Sequence, residues 1–182
     1  MLLFYTSRRP KSPLRFAMHF RTKNWRVYLK AKAIFIQHHP NRKTLVFYGC
    51  CHPCIDNLLS PPHILRPQVQ NCIEMILGSE DFQHEVSQGA FFLFEEWAHR
   101  WNQIMLDTFG TNHEIMREII QQDRKYLLAL MTPCSNDFID EAESPAELVG
   151  LPLRWKTVKL DYLESLLQKV IDRLKGDLDC HP

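Results

Sequence analysis

The chemistry-bearing residues of this 182-residue chain crowd into one short stretch, Gly49-Cys50-Cys51-His52-Pro53-Cys54. Cys51 and Cys54 form a C-x-x-C pair, and that spacing suits two chemistries. One is metal ligation. With His63 and Cys72 the pair makes a Cys3His set, C-x2-C-x8-H-x8-C, of the number and ligand type that a closed tetrahedral zinc site takes. The other is thiol–disulfide exchange, with Cys51 as attacking thiolate and Cys54 as resolving thiol. Against both stands the tendency of cysteine to be buried as a small hydrophobe.

A second pattern, Glu96-x-x-His99, has the spacing of half a di-iron carboxylate site, which needs a second such pair on a neighbouring helix. Asp81-x-x-His84 is its nearest echo, and one continuous helix would hold the two about 22 Å apart. A polar helix face accounts for both. The chain has no glycine-rich phosphate loop, no Gly-x-Ser-x-Gly elbow and no His-Glu-x-x-His.

The C-x-x-C pair follows the β-rich run Thr44–Tyr48, and residues 44–59 locally resemble the active-site turn of the thioredoxin family. The resemblance implies a thiolate of lowered pKa at a helix N-terminus, and hence an oxidoreductase built on Cys51 and Cys54. That family also places a cis-proline against its dithiol; Pro152 is the candidate here.

The broadest functional clue is charge. Residues 1–55 carry eleven basic residues and no acid, whereas residues 56–182 carry eleven basic residues against twenty-one acids. Such asymmetry bears on partners and field rather than on fold. Arg15, Arg21, Arg26, Tyr28, Lys30, Lys32, Arg42 and Lys43 are the candidate contacts to nucleic acid, cations for phosphates and an aromatic ring for unpaired bases. The competing partner is an acidic protein surface, including the acidic part of this chain or of a second copy in a homo-oligomer. A mitochondrial transit peptide would share the composition.

The elements that must position these groups fall into three stretches. Residues 1–13 read as a mobile basic arm. Residues 14–63 read as a basic β-rich part holding the C-x-x-C cluster, because Leu14–Arg21 and Arg26–Phe35 alternate apolar and polar with period two. A helix over 24–36 is the rival there. Residues 64–182 read as a bundle of four to five helices, the last an amphipathic one with Leu160, Leu163, Leu167, Val170/Ile171 and Leu174 as its stripe. Gly78, Gly110 and Gly150 stop apolar stripes, and Thr111-Asn-His-Glu114 and Ser144-Pro-Ala-Glu147 have the form of capping boxes. The aromatic run Phe91, Phe92, Phe94, Trp97 and Trp101 is assigned to the core, with a partner-binding groove as the alternative.

The fold expected is therefore α+β, an N-terminal basic antiparallel β-hairpin or meander followed by a predominantly helical bundle. No apolar run reaches the ~18 residues of a membrane span. Three of the six cysteines lie within five positions, unlike a secreted disulfide framework, so a reducing intracellular compartment, cytoplasm or nucleus, is expected, with mitochondrial import as the alternative. The function expected is a non-enzymatic binding or adaptor protein. Its basic part would contact nucleic acid or another polyanion and its helical part would contact protein. The alternatives are the oxidoreductase and a helical interaction module whose cysteines are structural or bind zinc.

Overall fold

The structure, a computed structural model, describes residues 3–6, 17–18, 44–47 and 64–179. In chain order the first elements are β1 (Leu3–Thr6), β2 (Ala17–Met18), β3 (Thr44–Phe47), β4 (Ile64–Leu65), α1 (Cys72–Leu77), α2 (Ser79–Ser87) and β5 (Ala90–Leu93). Then come α3 (Glu95–His99), α4 (Trp101–Phe109), α5 (His113–Asp123), β6 (Tyr126–Met131), α6 (Ile139–Val149), β7 (Leu153–Thr157) and α7 (Asp161–Asp179). The chain divides into two units, Met1–Met75 with Asp161–Pro182, and Ile76–Leu160.

The first unit holds a four-stranded sheet in the order β2-β1-β3-β4. β1 is antiparallel to β2 and to β3, and β3 runs parallel to β4. Asn71 starts α1: its Oδ1 accepts the backbone N–H groups of Ile73 and Glu74, both at 3.0 Å. The Glu74 carboxylate reaches back to the N–H of Gln70 at 2.5 Å. These reciprocal bonds satisfy donors that a helix start leaves open. α7 lies against β3, and its Leu163, Leu166 and Leu167 pack on buried Val69 and Met75.

The second unit is built on a parallel sheet in the order β5-β6-β7. Alternation along the strands separates its two faces. On one face Leu93, Leu127 and Ala129 join Ala98 and Trp101, Met105, Met116, Ile120, Ala142, Ala146 and Val149 of the covering helices. Phe138, fully buried, fills the same layer and meets Trp155 of β7 at 5.1 Å between ring centroids. On the other face Phe92 stacks on Phe82 of α2 at 5.7 Å. Full burial of one such side chain contributes about 1.5–3 kcal/mol.

Two expectations are overturned. The described N-terminal strands form no antiparallel meander in chain order: the apolar run Leu3-Phe4-Tyr5 lies between β2 and β3, and β3 pairs with β4 in parallel. The second part is no helical bundle, because residues 90–93, 126–131 and 153–157 are strands. Ala-Phe-Phe-Leu and Tyr-Leu-Leu-Ala-Leu-Met are buried on both faces, so they read as continuous apolar runs. Such a run cannot be told by period from a buried turn of helix. The aromatic run is split accordingly, with Phe91 meeting Trp101 edge-on at 5.6 Å on one face and Phe92 pointing to the other.

The punctuation falls closer to expectation. Gly78, Gly110 and Gly150 follow helices with φ of 86°, 69° and 67°. At the start of α5 the cap is Asn112, whose Oδ1 accepts the Ile115 N–H at 3.1 Å, one residue beyond the threonine expected. α6 begins at Ile139 and runs through Pro145, so Ser144-Pro-Ala-Glu147 lies inside a helix and starts none.

Candidate anion-binding groove

The amphipathic C-terminal helix α7 carries the clearest candidate site. Its leucines at 163, 166 and 167 bind it to Val69 and Met75. That contact turns a neighbouring strip of the helix toward the segment just before α1. Leu166, Lys169, Val170 and Arg173 of α7 form one wall of a groove of about 610 Å³, and Arg66 and Pro67 form the other. Gln68 and Asp172 complete the lining. Positions 166, 169, 170 and 173 fall at i, i+3, i+4 and i+7, which places them on one side of a helix. Val170 and Pro67 are buried, Arg66 is partly buried, and Lys169 and Arg173 are exposed.

Among the described residues the groove therefore joins an apolar floor to three cations and one carboxylate. Asp172 accepts the side-chain amide of Gln168 at 2.7 Å. Lys169 and Arg173 form no ion pair among the described residues. Chemically the arrangement can hold an anion; among the described residues it presents no nucleophile next to a base.

The carboxyl ends of β5, β6 and β7 are the other place to look, because open parallel sheets bind ligands there where the strand order reverses. Among the described strands this sheet advances one way only, β5 to β6 to β7, and shows no reversal. What lies at that end is a tether. Glu95 accepts the side-chain amide of Asn136 at 2.8 Å and its backbone N–H at 3.0 Å. Those bonds, the side-chain one first, hold the Glu95 carboxyl below the usual range. His99 places Nε2 3.8 Å from Glu95 and Nδ1 3.6 Å from Glu141, on opposite sides of its ring. One ion could not bind His99 and both carboxylates.

The other face of the sheet carries a second closed network. Glu85 of α2 accepts the Tyr126 hydroxyl at 2.7 Å and the Lys156 ammonium at 2.9 Å, and Lys156 also meets Asp81 at 3.0 Å. Arg154 lies over the Tyr126 ring at 4.1 Å. Burial works against ionisation of Glu85, but the bonds from Tyr126 and Lys156 outweigh it and lower its pKa. Burial, and then the Glu85 bond, push Tyr126 up to about 12. Burial opposes the charge on Lys156, and its bonds to Glu85 and Asp81 more than restore it, raising its pKa.

The sequence-predicted residues fare unevenly. Arg15, Arg21, Arg26, Tyr28, Lys30, Lys32, Arg42, Lys43, Cys51, Cys54 and His63 lie outside the described residues. Cys72 opens α1, half-buried. Glu96 and His99 do not converge: Glu96 pairs with Arg100 at 3.6 Å while His99 faces Glu95 and Glu141. Asp81 and His84 sit on α2, separated from α3 by β5. Among the described residues no group of three or more His, Cys, Asp or Glu side chains could hold a metal ion. No helix among them is long and apolar enough to cross a membrane. The groove cations Arg66, Lys169 and Arg173 were missed. The available signal was the pair Lys169 and Arg173, one turn apart beside the leucine stripe of α7.

Comparison with known proteins places the chain without assigning it a reaction. The family DUF1638, described as a protein of unknown function, matches residues 14–167. The chain belongs to this family. No curated protein and no solved structure matches it. In this DUF1638 protein the matched region takes in Arg66, Pro67 and Leu166, and the groove continues on α7 to Lys169, Val170 and Arg173 just beyond it.

Proposed function

We propose that this protein is a non-enzymatic binding protein: its cationic groups contact nucleic acid or another polyanion, and its helical part contacts protein. The observation that carries the reading is the groove, where Arg66, Lys169 and Arg173 surround an apolar floor with one acid among them. The acid-free first 55 residues add charge of the same sign to the chain. On the protein-binding side, Ile115 and Ile119 stand one turn apart on α5, 50% and 49% exposed, beside Glu114 and Glu118. An apolar pair rimmed by acids suits a basic partner.

The test is fluorescence anisotropy of a labelled single-stranded oligonucleotide over a range of salt. Binding should weaken linearly in log–log form, with a slope that counts the phosphates neutralised. Lys169→Glu with Arg173→Glu should weaken binding at least tenfold and reduce the slope by about 1.4, the value for two phosphates of a single strand. Affinity flat in salt, or unchanged in the double variant, would overturn the reading.

A further inference from the structure

We infer that the groove between α7 and residues 66–68 is a pocket for one compact amphiphilic anion, a phosphate or carboxylate head on a short aliphatic body. This rests on the reading of the groove as an anion site and specifies what enters it. Its volume, about 610 Å³, falls in the range of small-molecule sites. The helix supplies two rows side by side, each spaced by one turn: Leu166 with Val170, and Lys169 with Arg173. The cationic row fits the head, since the Arg173 fork matches a carboxylate or phosphate with two parallel bonds, and Arg66 adds positive charge to the lining. The aliphatic row and Pro67 fit the body.

Two features narrow the ligand further. Among the described residues no aromatic side chain lines the groove, so a flat base gains no stacking from them. Asp172 on the lining repels a second anionic group, so the pocket suits one head rather than a run of phosphates. A polyanion would lay its remaining charges outside.

The experiment is calorimetric titration of the whole protein with butyl phosphate and, separately, with inorganic phosphate. Each buried methylene multiplies affinity about fourfold, so butyl phosphate should bind at least tenfold more tightly. Lys169→Gln with Arg173→Gln should weaken both probes by tenfold or more. Val170→Thr should remove most of the advantage of butyl phosphate and leave inorganic phosphate unchanged. Leu166→Thr, at a partly exposed position, makes the same test should the valine variant fold poorly. Equal affinity for the two probes, or no effect of the lysine and arginine changes, overturns the assignment. Oligonucleotide binding without butyl phosphate binding also overturns it while leaving the polyanion reading intact; the opposite result keeps the pocket and removes that reading. Phosphatidylcholine vesicles containing phosphatidic acid separate the sources: capture by the vesicles without response to butyl phosphate would show a lipid headgroup site and defeat the free-ligand assignment.

Discussion

The two units treat charge in opposite ways. In the second, charged groups near the sheet are closed against one another: Glu85 with Tyr126 and Lys156, Lys156 with Asp81, and Glu95 with Asn136. In the first, Lys169 and Arg173 stand along a concave strip and form no ion pair among the described residues. A closed network holds elements together and has little left for a ligand. Cations beside an apolar floor, by contrast, keep their capacity to bind. A perturbed pKa alone would have pointed to Glu85 and Tyr126, but their partners explain the shifts as structure.

The comparison can be broken most forcefully at Phe138, which is fully buried against the parallel sheet. Phe138→Ala should cost about 3–5 kcal/mol in urea unfolding, through lost transfer energy and the cavity left behind. A cost below about 1 kcal/mol would mean that the layer is loosely packed.

Glu85→Ala should come next, at about 2–3 kcal/mol, because it strands the hydroxyl of buried Tyr126 and leaves the half-buried Lys156 ammonium with Asp81 alone. The network also predicts a pH profile. The pKa of Glu85 is lowered in the fold, so its contribution is present above the ordinary carboxylate value and is lost as pH falls through the lowered one. Tyr126 is raised from 10 to about 12, so its contribution is present below pH 10 and is lost as pH rises through about 12. Lys156 is raised too, and loses its contribution in the same alkaline direction. Glu85→Gln should flatten both limbs of a stability–pH curve, and an unchanged curve would deny the network its role.

Smaller effects test how α6 is held. Arg117 donates to the carbonyls of Leu148 and Glu147 at 2.6 and 3.0 Å, and Gln121 donates to that of Val149 at 2.7 Å. These bonds take up carbonyls that the helix end leaves open and set a cation at the negative end of its dipole. Arg117→Ala should cost about 1–2 kcal/mol. Gly150→Ala should cost about 1–2 kcal/mol as well, since φ is +67° and a Cβ would stand 2.8 Å from the Gln121 amide.

The smallest stability changes sharpen the contrast itself. Trp101 is buried and its Nε1 has no hydrogen-bond partner among the described residues, so Trp101→Phe should cost under about 1 kcal/mol. Lys169→Glu with Arg173→Glu should shift unfolding by no more than about 0.5 kcal/mol while weakening anion binding tenfold. A large loss of stability there would make the groove cations structural, like those of the second unit.

The legible parts of the fold were those decided locally. The leucine stripe from Leu160 gave α7, and the glycines at 78, 110 and 150 gave helix ends, because a stripe and a positive φ need only neighbouring residues. The strands Ala90–Leu93 and Tyr126–Met131 were illegible as strands. Their residues are apolar because helices or sheet cover both faces, and that cover comes from segments distant in sequence. The tether of Glu95 to Asn136 spans 41 residues and left no local spacing to read.

The sequence alone determined the charge split, the absence of acids before Asp56, the amphipathic C-terminal helix and the places where helices stop. Only the tertiary structure decided that two apolar runs pair as parallel strands, and that Lys169 and Arg173 stand across a groove from Arg66, about a hundred positions away. The reason is physical. A turn of helix is closed by bonds between residues four apart, whereas a parallel pairing or a pocket wall forms only when packing brings distant segments together.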